Sequence, residues 1–459
     1  MFRSEGTRGY RGSSVSLNQG YPASLFAAGE QGAWYDPSDF TTLFQNAAGT
    51  TPVTAVEQPV RLMRDKSGRG NHATAPSDAA RPVLRARYNQ LTYSEQIDNA
   101  DWQKSNITVT PNAILAPNST LTADLIVENT VNGTHEITSF NTLTATPANT
   151  SFVASIYVKR AVGTRNLRFT GYSGANGLRA VFNLDTLSVT NGSFGTATYL
   201  SGTITSVGNG WFLCVVSGSI ATASPYANWG MLSGSSSFYT GDGTSGLYFW
   251  GAQVVTVTDN TTIGGRYQQI AAATSYDTSG FLPYLAYDGA SSAMATSAID
   301  FTGTNKMSVF AGLTKLSDAA QTAVAELSAT IATNNGSFLL TAPNSAAANY
   351  NFSSKGTTQV DNTVTTYTAP HTGVISALAD IGAPSNIIRV NGVQAGSSVS
   401  SQGTGNFGNY ALFIGARNNA SLFFNGRLYG LIVRGAAAAN ANQTSSIESW
   451  MAARTGVAL

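Results

Sequence analysis

Apolar residues in this chain come in short runs that break at Asn and Gly. Residues 387–394 place Ile387, Ile388, Val390 and Val393 around an Asn391-Gly392 step. Residues 410–417 and 424–434 repeat the form with Leu412, Phe413 and Ile414, then Leu428, Ile432 and Val433. β-Branched and aromatic side chains favour extended backbone, and Asn-Gly favours the tight turns that join antiparallel neighbours. Consecutive antiparallel strands are therefore predicted. Residues 152–159 alternate, with Phe152, Ala154, Ile156 and Val158 on one face, and residues 207–216 read as an Asn209-Gly210 turn feeding a strand. Further strands are expected at 306–312 and 336–340. Helical spacing is confined to 440–453, where Ile447, Trp450 and Met451 share a face and Ser445 with Glu448 has capping-box spacing. No heptad pattern or internal repeat occurs, so no coiled-coil stalk is expected.

At 459 residues the chain exceeds what one hydrophobic core usually serves, which predicts more than one domain. Charged residues make up 11% and the formal net charge is +1, which removes the basic footprint that nucleic-acid binding needs. Solubility then falls to Ser, Thr, Asn and Gly. Cys214 is the sole cysteine and lies in the apolar run 211–216, so it reads as a buried strand residue, with no intrachain disulfide and no Cys-rich metal site. No apolar stretch reaches membrane-spanning length, and the segment after Met1 lacks the apolar core of a secretory signal. A soluble protein made in the cytoplasm, without membrane insertion, is expected.

The opening motifs at 29–39, with Trp34 and Tyr35, and at 64–73, with Asp65, Ser67, Gly68 and Gly70, resemble the start of a concanavalin A-like (laminin-G-like) jelly roll of bacteriophage tail fibres and other virion appendages. The strands at 387–434 resemble its close. In uninterrupted members the stretch like 80–84 leads almost directly into one like 282–289, whereas here a long segment intervenes. That segment, with motifs at 89–102, 152–159, 207–216 and 239–254, resembles the carbohydrate-binding-module-like jelly roll that recurs in the same fibres. The expected fold class is all-β: two antiparallel β-sandwich (jelly-roll) domains, one inserted in the other, with a short N-terminal arm and a short C-terminal helix. The expected boundaries are an arm at 1–28, the outer jelly roll at 29–87 and 277–459, and the insert at 88–276. The arm, with Arg3, Arg8 and Arg11 among Gly and Ser, cannot bury enough apolar area to fold alone and is expected to order on another virion protein.

Candidate chemistry is sparse. Concanavalin A-like glucanases set paired acids on one strand face, and no strand here has the Glu-x-Asp-x-x-Glu spacing; Asp65, Asp242 and Asp288 sit at turns instead. His72, His135 and His371 are far apart in sequence, form no local metal motif, and read as surface or loop residues. No Gly-x-Ser-x-Gly elbow marks a nucleophile. Structural calcium occurs in such jelly rolls, but where the resemblance implies acids after Asp288-Gly289 this chain has Ala290, Ser291, Ser292 and Ala293, so no metal and no cofactor are expected.

Aromatic rings stack on the apolar faces of sugars while polar neighbours bond the hydroxyls. Trp102, Tyr226, Trp229 and Tyr239 have polar, turn-rich surroundings and are the candidate glycan-binding residues, whereas Trp211 and Trp250 lie in apolar runs and read as core. The resemblance implies a non-enzymatic phage virion surface component, a tail fibre, head fibre or decoration protein, that binds other virion structural proteins through its arm and host surface glycans through its sandwiches. It also implies a homo-oligomer, most often a trimer. The competing readings are a polysaccharide depolymerase and a decoration protein that binds no glycan.

Overall fold

The computed structural model describes residues 22–139, 150–220, 225–436 and 439–459. Two sheets form the first sandwich. One runs in the order Val393–Ser398, Ser385–Val390, His371–Asp380, Lys306–Lys315, Asn425–Gly435, Tyr284–Asp288, Val83–Arg85, with Gln31–Tyr35 also paired to Asn425–Gly435. The long Asn425–Gly435 strand thus carries two short partners end to end, Trp34 opposite Ile432 and Leu285 opposite Leu428. The facing sheet runs Leu43–Phe44, Leu62–Met63, Ala73–Thr74, Met294–Asp300, Asn409–Ile414, Ala323–Leu327, Ser337–Thr341, Asn349–Lys355, Gln359–Thr365. Residues from both ends of the chain, among them Tyr35, Met63, Leu313, Phe352, Ile414 and Leu431, fill one apolar layer between the sheets. The alternation of the sequence is what delivers them to one face.

The strands from Trp102–Ser105 to Gly246–Thr256 pair only with one another. They form a second sandwich. Its first sheet runs Ser188–Phe194, Asn176–Asn183, Asn166–Ser173, Tyr226–Leu232, Glu136–Ser139, Trp102–Ser105. Its second runs Thr198–Gly208, Trp211–Ser219, Ser151–Arg160, Gly246–Thr256, Ala123–Glu128, Ile107–Ile114. The described pairings are antiparallel throughout both sheets. Phe152, Ile156, Phe169, Phe182, Cys214 and Phe249 fill the layer between them. Cys214 is buried, and the loss of water around its sulfur pushes the thiol well above its usual range.

Chain entry and exit for this second sandwich are clasped by one side chain. Gln268, fully buried, accepts from the backbone N–H groups of Tyr88 (2.7 Å) and Asn89 (3.1 Å) and donates to the carbonyls of Ala86 and Asp277 (both 2.8 Å). A sandwich whose ends meet in this way leaves its host sandwich undisturbed.

Two expectations about the ends of the chain are corrected. Residues 22–28 are not a free arm: Pro22–Phe26 is a 3₁₀ turn whose Leu25 and Phe26 are buried with Trp34, Ile432 and Trp450. Their apolar side chains suit the body, unlike the Arg- and Gly-rich residues before them. Arg3, Arg8 and Arg11 lie outside the described residues. The C-terminal helix, Ala441–Thr455, is capped by Asn440 rather than at Ser445. Asn440 accepts from the Gln443 N–H (2.9 Å), and Gln443 returns a bond to the Asn440 N–H (3.1 Å). Glu448 is buried mid-helix, where Arg389 (2.7 Å) and Ser376 (2.9 Å) hold its carboxylate. Ile447, Trp450 and Met451 pack on the sheet as their spacing predicts, with Trp450 edge-on to Trp34 at 5.7 Å between centroids. Gly456, at φ 71°, ends the helix in the left-handed conformation that favours glycine.

Candidate functional site

The first sheet of the second sandwich turns one face inward, with Leu167, Phe169, Leu178, Ala180, Trp229 and Ile137 in the core. Because side chains alternate, the residues between them stand on the other face. Cross-strand register then sorts that outer face into three rows. The middle row is polar and runs through Thr138, Asn228, Thr170 and Arg179. On one side Glu136, Gly230 and Arg168 line up, and on the other Tyr226, Tyr172, Gly177 and Phe194.

Two glycines shape these rows. A Cβ at Gly230 would stand 3.0 Å from Arg168 Nη2 and 3.1 Å from Glu136 Cβ, so its absence lets the guanidinium cross to the Glu136 carboxylate. A Cβ at Gly177 would overlap Phe194 Cζ at 2.3 Å, so the Phe194 ring lies over that glycine and continues the aromatic row. Tyr172 and Tyr226 stack obliquely, with centroids 5.6 Å apart and planes 30° apart. Phe194 is 39% exposed, and the two tyrosines are half-buried. Four adjacent strands at the usual spacing give the row a length of roughly 14 Å.

The polar row is well organised but not saturated. Arg168 Nη2 bonds both Glu136 and Asn228 Oδ1 (2.8 Å), and Asn228 Nδ2 donates to Thr138 Oγ1 (2.8 Å). The Tyr172 hydroxyl reaches the same Thr138. Burial, with the Glu136 carboxylate nearby, pushes that hydroxyl upward, so it keeps its proton. Arg168 Nε and Thr170 Oγ1, in side chains 6% and 8% exposed, have no hydrogen-bond partner. Such orphaned groups are costly unless something completes them. The arrangement offers ring faces beside a line of paired donors and acceptors, while the two orphaned atoms have no surface open to a ligand.

The structure separates the four sequence candidates. Tyr226 lies in the aromatic row. Trp102 and Trp229 do not present a ring to solvent: they are 2% and 1% exposed, stand edge-on to each other at 5.8 Å, and belong to the core. Tyr239 is half-buried and ties down a loop, its hydroxyl on Glu128 (2.7 Å), its ring against His135 and under Arg165. Trp211 and Trp250 are buried, as their apolar runs predict. Of the histidines read as surface or loop residues, His72 is exposed in a loop and His135 lies in a loop but is buried, so only His371 departs from the reading. His135 is 1% exposed and bridges the carbonyls of Asn106 and Tyr239, and His371 lies half-buried in a strand with Nδ1 on the Tyr350 hydroxyl (2.8 Å).

Other concavities are less suited to a ligand. A cavity of about 440 Å³ between the two sandwiches is rimmed by Glu57, Arg85 and Arg427, but Arg85 is paired with Glu57 (3.1 Å) and Arg427 with Asp259. A depression of about 100 Å³ holds Glu95, Asp98 and Asp124. Burial pushes Asp124 up to about 6, while its oxygens accept from the N–H groups of Ile97 and Asn112. Among the described residues no group of three or more His, Cys, Asp or Glu side chains is placed to hold a metal ion. Asp65, Asp242 and Asp288 direct their oxygens to N–H groups of their own turns, at 2.7 to 3.0 Å. No described helix is long and apolar enough to cross a membrane.

This is an all-β protein built of antiparallel sandwiches, with one short helix at its C-terminus. No family model and no curated protein matches the chain. Among solved structures it is similar to the CBM40 module of a Ruminococcus gnavus IT-sialidase, at 11% identity over 32% of this chain and 83% of that one, with a TM-score of 0.27. It is similar to a heptameric SAP-like pentraxin from Limulus polyphemus, at 10% identity over 36% and 80%, TM-score 0.29. Laminin α1 domains LG4-5 from mouse are similar at 11% identity over 66% and 84%, TM-score 0.26. None of these three is a phage protein.

Proposed function

We propose that this protein is a non-catalytic carbohydrate-binding protein, and that its second sandwich takes a glycan along the Tyr226, Tyr172 and Phe194 row. The observation that carries the reading is the aromatic row, with Tyr226 and Tyr172 obliquely stacked and the Phe194 ring exposed, running beside a polar row that ends in the exposed Arg179. Sugar rings stack on the first while hydroxyls bond the exposed groups of the second. The proposal includes the setting implied by the sequence motifs: the surface of a phage particle, with residues 1–21 as the attachment segment, other virion proteins as partners and an oligomeric assembly. Its support there is the motif resemblance at 29–39, 64–73 and 387–434.

A glycan array probed with the purified protein and with Tyr172→Ala tests the binding. Retention of sugars by the parent and loss by the variant, at equal folded content, is the expected result. Equal retention by both would remove this face from the reading. New reducing ends appearing when the protein is incubated with a bound polysaccharide would replace binding by depolymerisation.

A further inference from the structure

We propose that a second copy of this chain pairs with the free edge strand Ser188–Phe194, antiparallel about a two-fold axis, so that the sheet carrying the aromatic row continues from one copy into the next. The proposal gives the oligomeric assembly of the reading above a contact surface and does not depend on sugar binding. Ser188–Phe194 ends its sheet, keeps unbroken register with Asn176–Asn183 through all seven of its residues, and leaves six of the seven exposed. Residues 195–197 carry the chain to Thr198–Gly208, which ends the facing sheet beside it. One side wall of the sandwich is therefore built of two edge strands, each offering unpaired backbone N–H and C=O groups.

The opposite wall is protected against pairing and this one is not. On that wall Trp102–Ser105 is four residues long and carries Lys104, while Ile107–Ile114 carries Pro111, a positive φ of 53° at Asn112 and a break in register between Thr110 and Ile114. Charge, proline and bulges are what keep a sheet edge from pairing. Residues 186–241, which include both strands of the unprotected wall, hold no Asp, Glu, Lys, Arg or His, and Ser188–Phe194 has neither proline nor bulge. Leu187, Phe194, Leu200 and Val207 are exposed along the same wall. An edge without charge has nothing to select a charged partner and nothing to repel its own copy. Antiparallel pairing of a strand with itself is a two-fold, self-complementary contact. Pairing all seven residues centres the axis on Asn191 and sets position 188 opposite position 194. That axis is perpendicular to the sheet, so the edges of the facing sheet approach each other as well. The wall spans roughly 35 Å along its longer strand and roughly 15 Å across the two sheets, so two copies bury about 1,000 Å² in all, the size at which a specific interface begins. Both aromatic rows then lie on one continuous face and engage a repetitive glycan surface together.

Sedimentation equilibrium of the full chain, with no sugar present, is the test, and a monomer–dimer equilibrium is the expected result. Thr190→Lys and Thr190→Glu, one position from the axis, are each expected to weaken the dimer by about tenfold or more, because like charges then meet across it. Mixed in equal amounts, the two variants are expected to form a heterodimer, which misfolded chains would not do. Thr108→Lys, on the protected wall, is expected to leave the dimer unchanged. A monomeric parent, a trimer, a dimer that neither Thr190 substitution weakens, or one that Thr108→Lys dissociates would overturn the proposal. A dimer that behaves as expected but retains no sugar on a glycan array would leave the proposal standing and remove only the binding reading.

Discussion

At the scale of single residues, the same chemistry does different work according to which face of a strand it occupies. Trp229 lies between Asn228 and Gly230, and its polar neighbours suggest an exposed ring in sequence; yet those neighbours face outward because side chains alternate, and Trp229 faces in. Replacing it separates the two roles. Trp229→Ala is expected to cost about 3 to 5 kcal/mol in urea unfolding, whereas Tyr172→Ala, on the other face, is expected to leave the midpoint almost unchanged while removing sugar retention. His371 offers a second test. Burial, with Lys315 nearby, lowers it from 6.5 to about 4, so the folded protein holds it neutral where the unfolded chain would bind a proton. Its contribution is therefore complete above pH 6.5 and is lost as pH falls toward 4, an effect of at most about 3 kcal/mol. His371→Gln is expected to flatten the stability profile across that window; an unchanged slope between pH 6.5 and 4 would show that the imidazole is not responsible. The site residues Arg168, Thr170, Tyr172 and Arg179 drew no attention in the sequence because their meaning lies in cross-strand register. Their period-two spacing between Leu167, Phe169 and the strand that follows was the only available signal.

Elements were legible where local rules decide them. The runs at 387–394, 410–417 and 424–434 became strands because β-branched and aromatic content acts over a few residues, with a turn at Asn391-Gly392, whereas Asn425-Gly426 lies within the last strand. The buried stripe Ile447, Trp450 and Met451 followed from helical spacing, but the cap did not, since Asn440 and Ser445 both suit the role and only the Glu448 contact with Arg389 excludes the second. The N-terminal turn shows the same limit. Leu25 and Phe26 follow a Gly- and Ser-rich stretch and are easily grouped with it, whereas their destination beside Trp34 and Trp450 depends on residues from the far end of the chain. The chain without residues 1–21 is the reference for the thermal midpoint. Removing 1–28 also deletes three buried apolar side chains, Pro22, Leu25 and Phe26, and the carbonyls of Leu25 and Phe26 that Arg434 and Arg69 bond, a loss of about 3 to 5 kcal/mol. Equal midpoints for the two truncations would show that the Pro22–Phe26 turn is not part of the body.

Across the whole molecule, the two sandwiches are joined by more than the chain crossings that Gln268 clasps. Arg427, on the longest strand of the first sandwich, reaches Asp259 in the Val257–Thr262 helix of the second, with Nη2 3.0 Å from Oδ2. The guanidinium lies near the ring faces of Tyr88 (5.3 Å) and Tyr284 (4.8 Å), and the contact is surrounded by Val255, Ile263 and Phe281. A pair so enclosed gains from mutual attraction but has given up its water, so removing one partner leaves a buried charge uncompensated while removing both does not. Arg427→Met and Asp259→Leu are each expected to cost about 3 to 5 kcal/mol, and the double variant, placing two apolar side chains among aromatic neighbours, to recover most of it. Calorimetry reads the consequence for cooperativity. If this contact is what makes the sandwiches unfold together, each single variant splits the heat absorption into two transitions and the double variant brings them back together; single variants that cost less than about 1 kcal/mol and still unfold in one step would place the coupling in the Gln268 clasp instead.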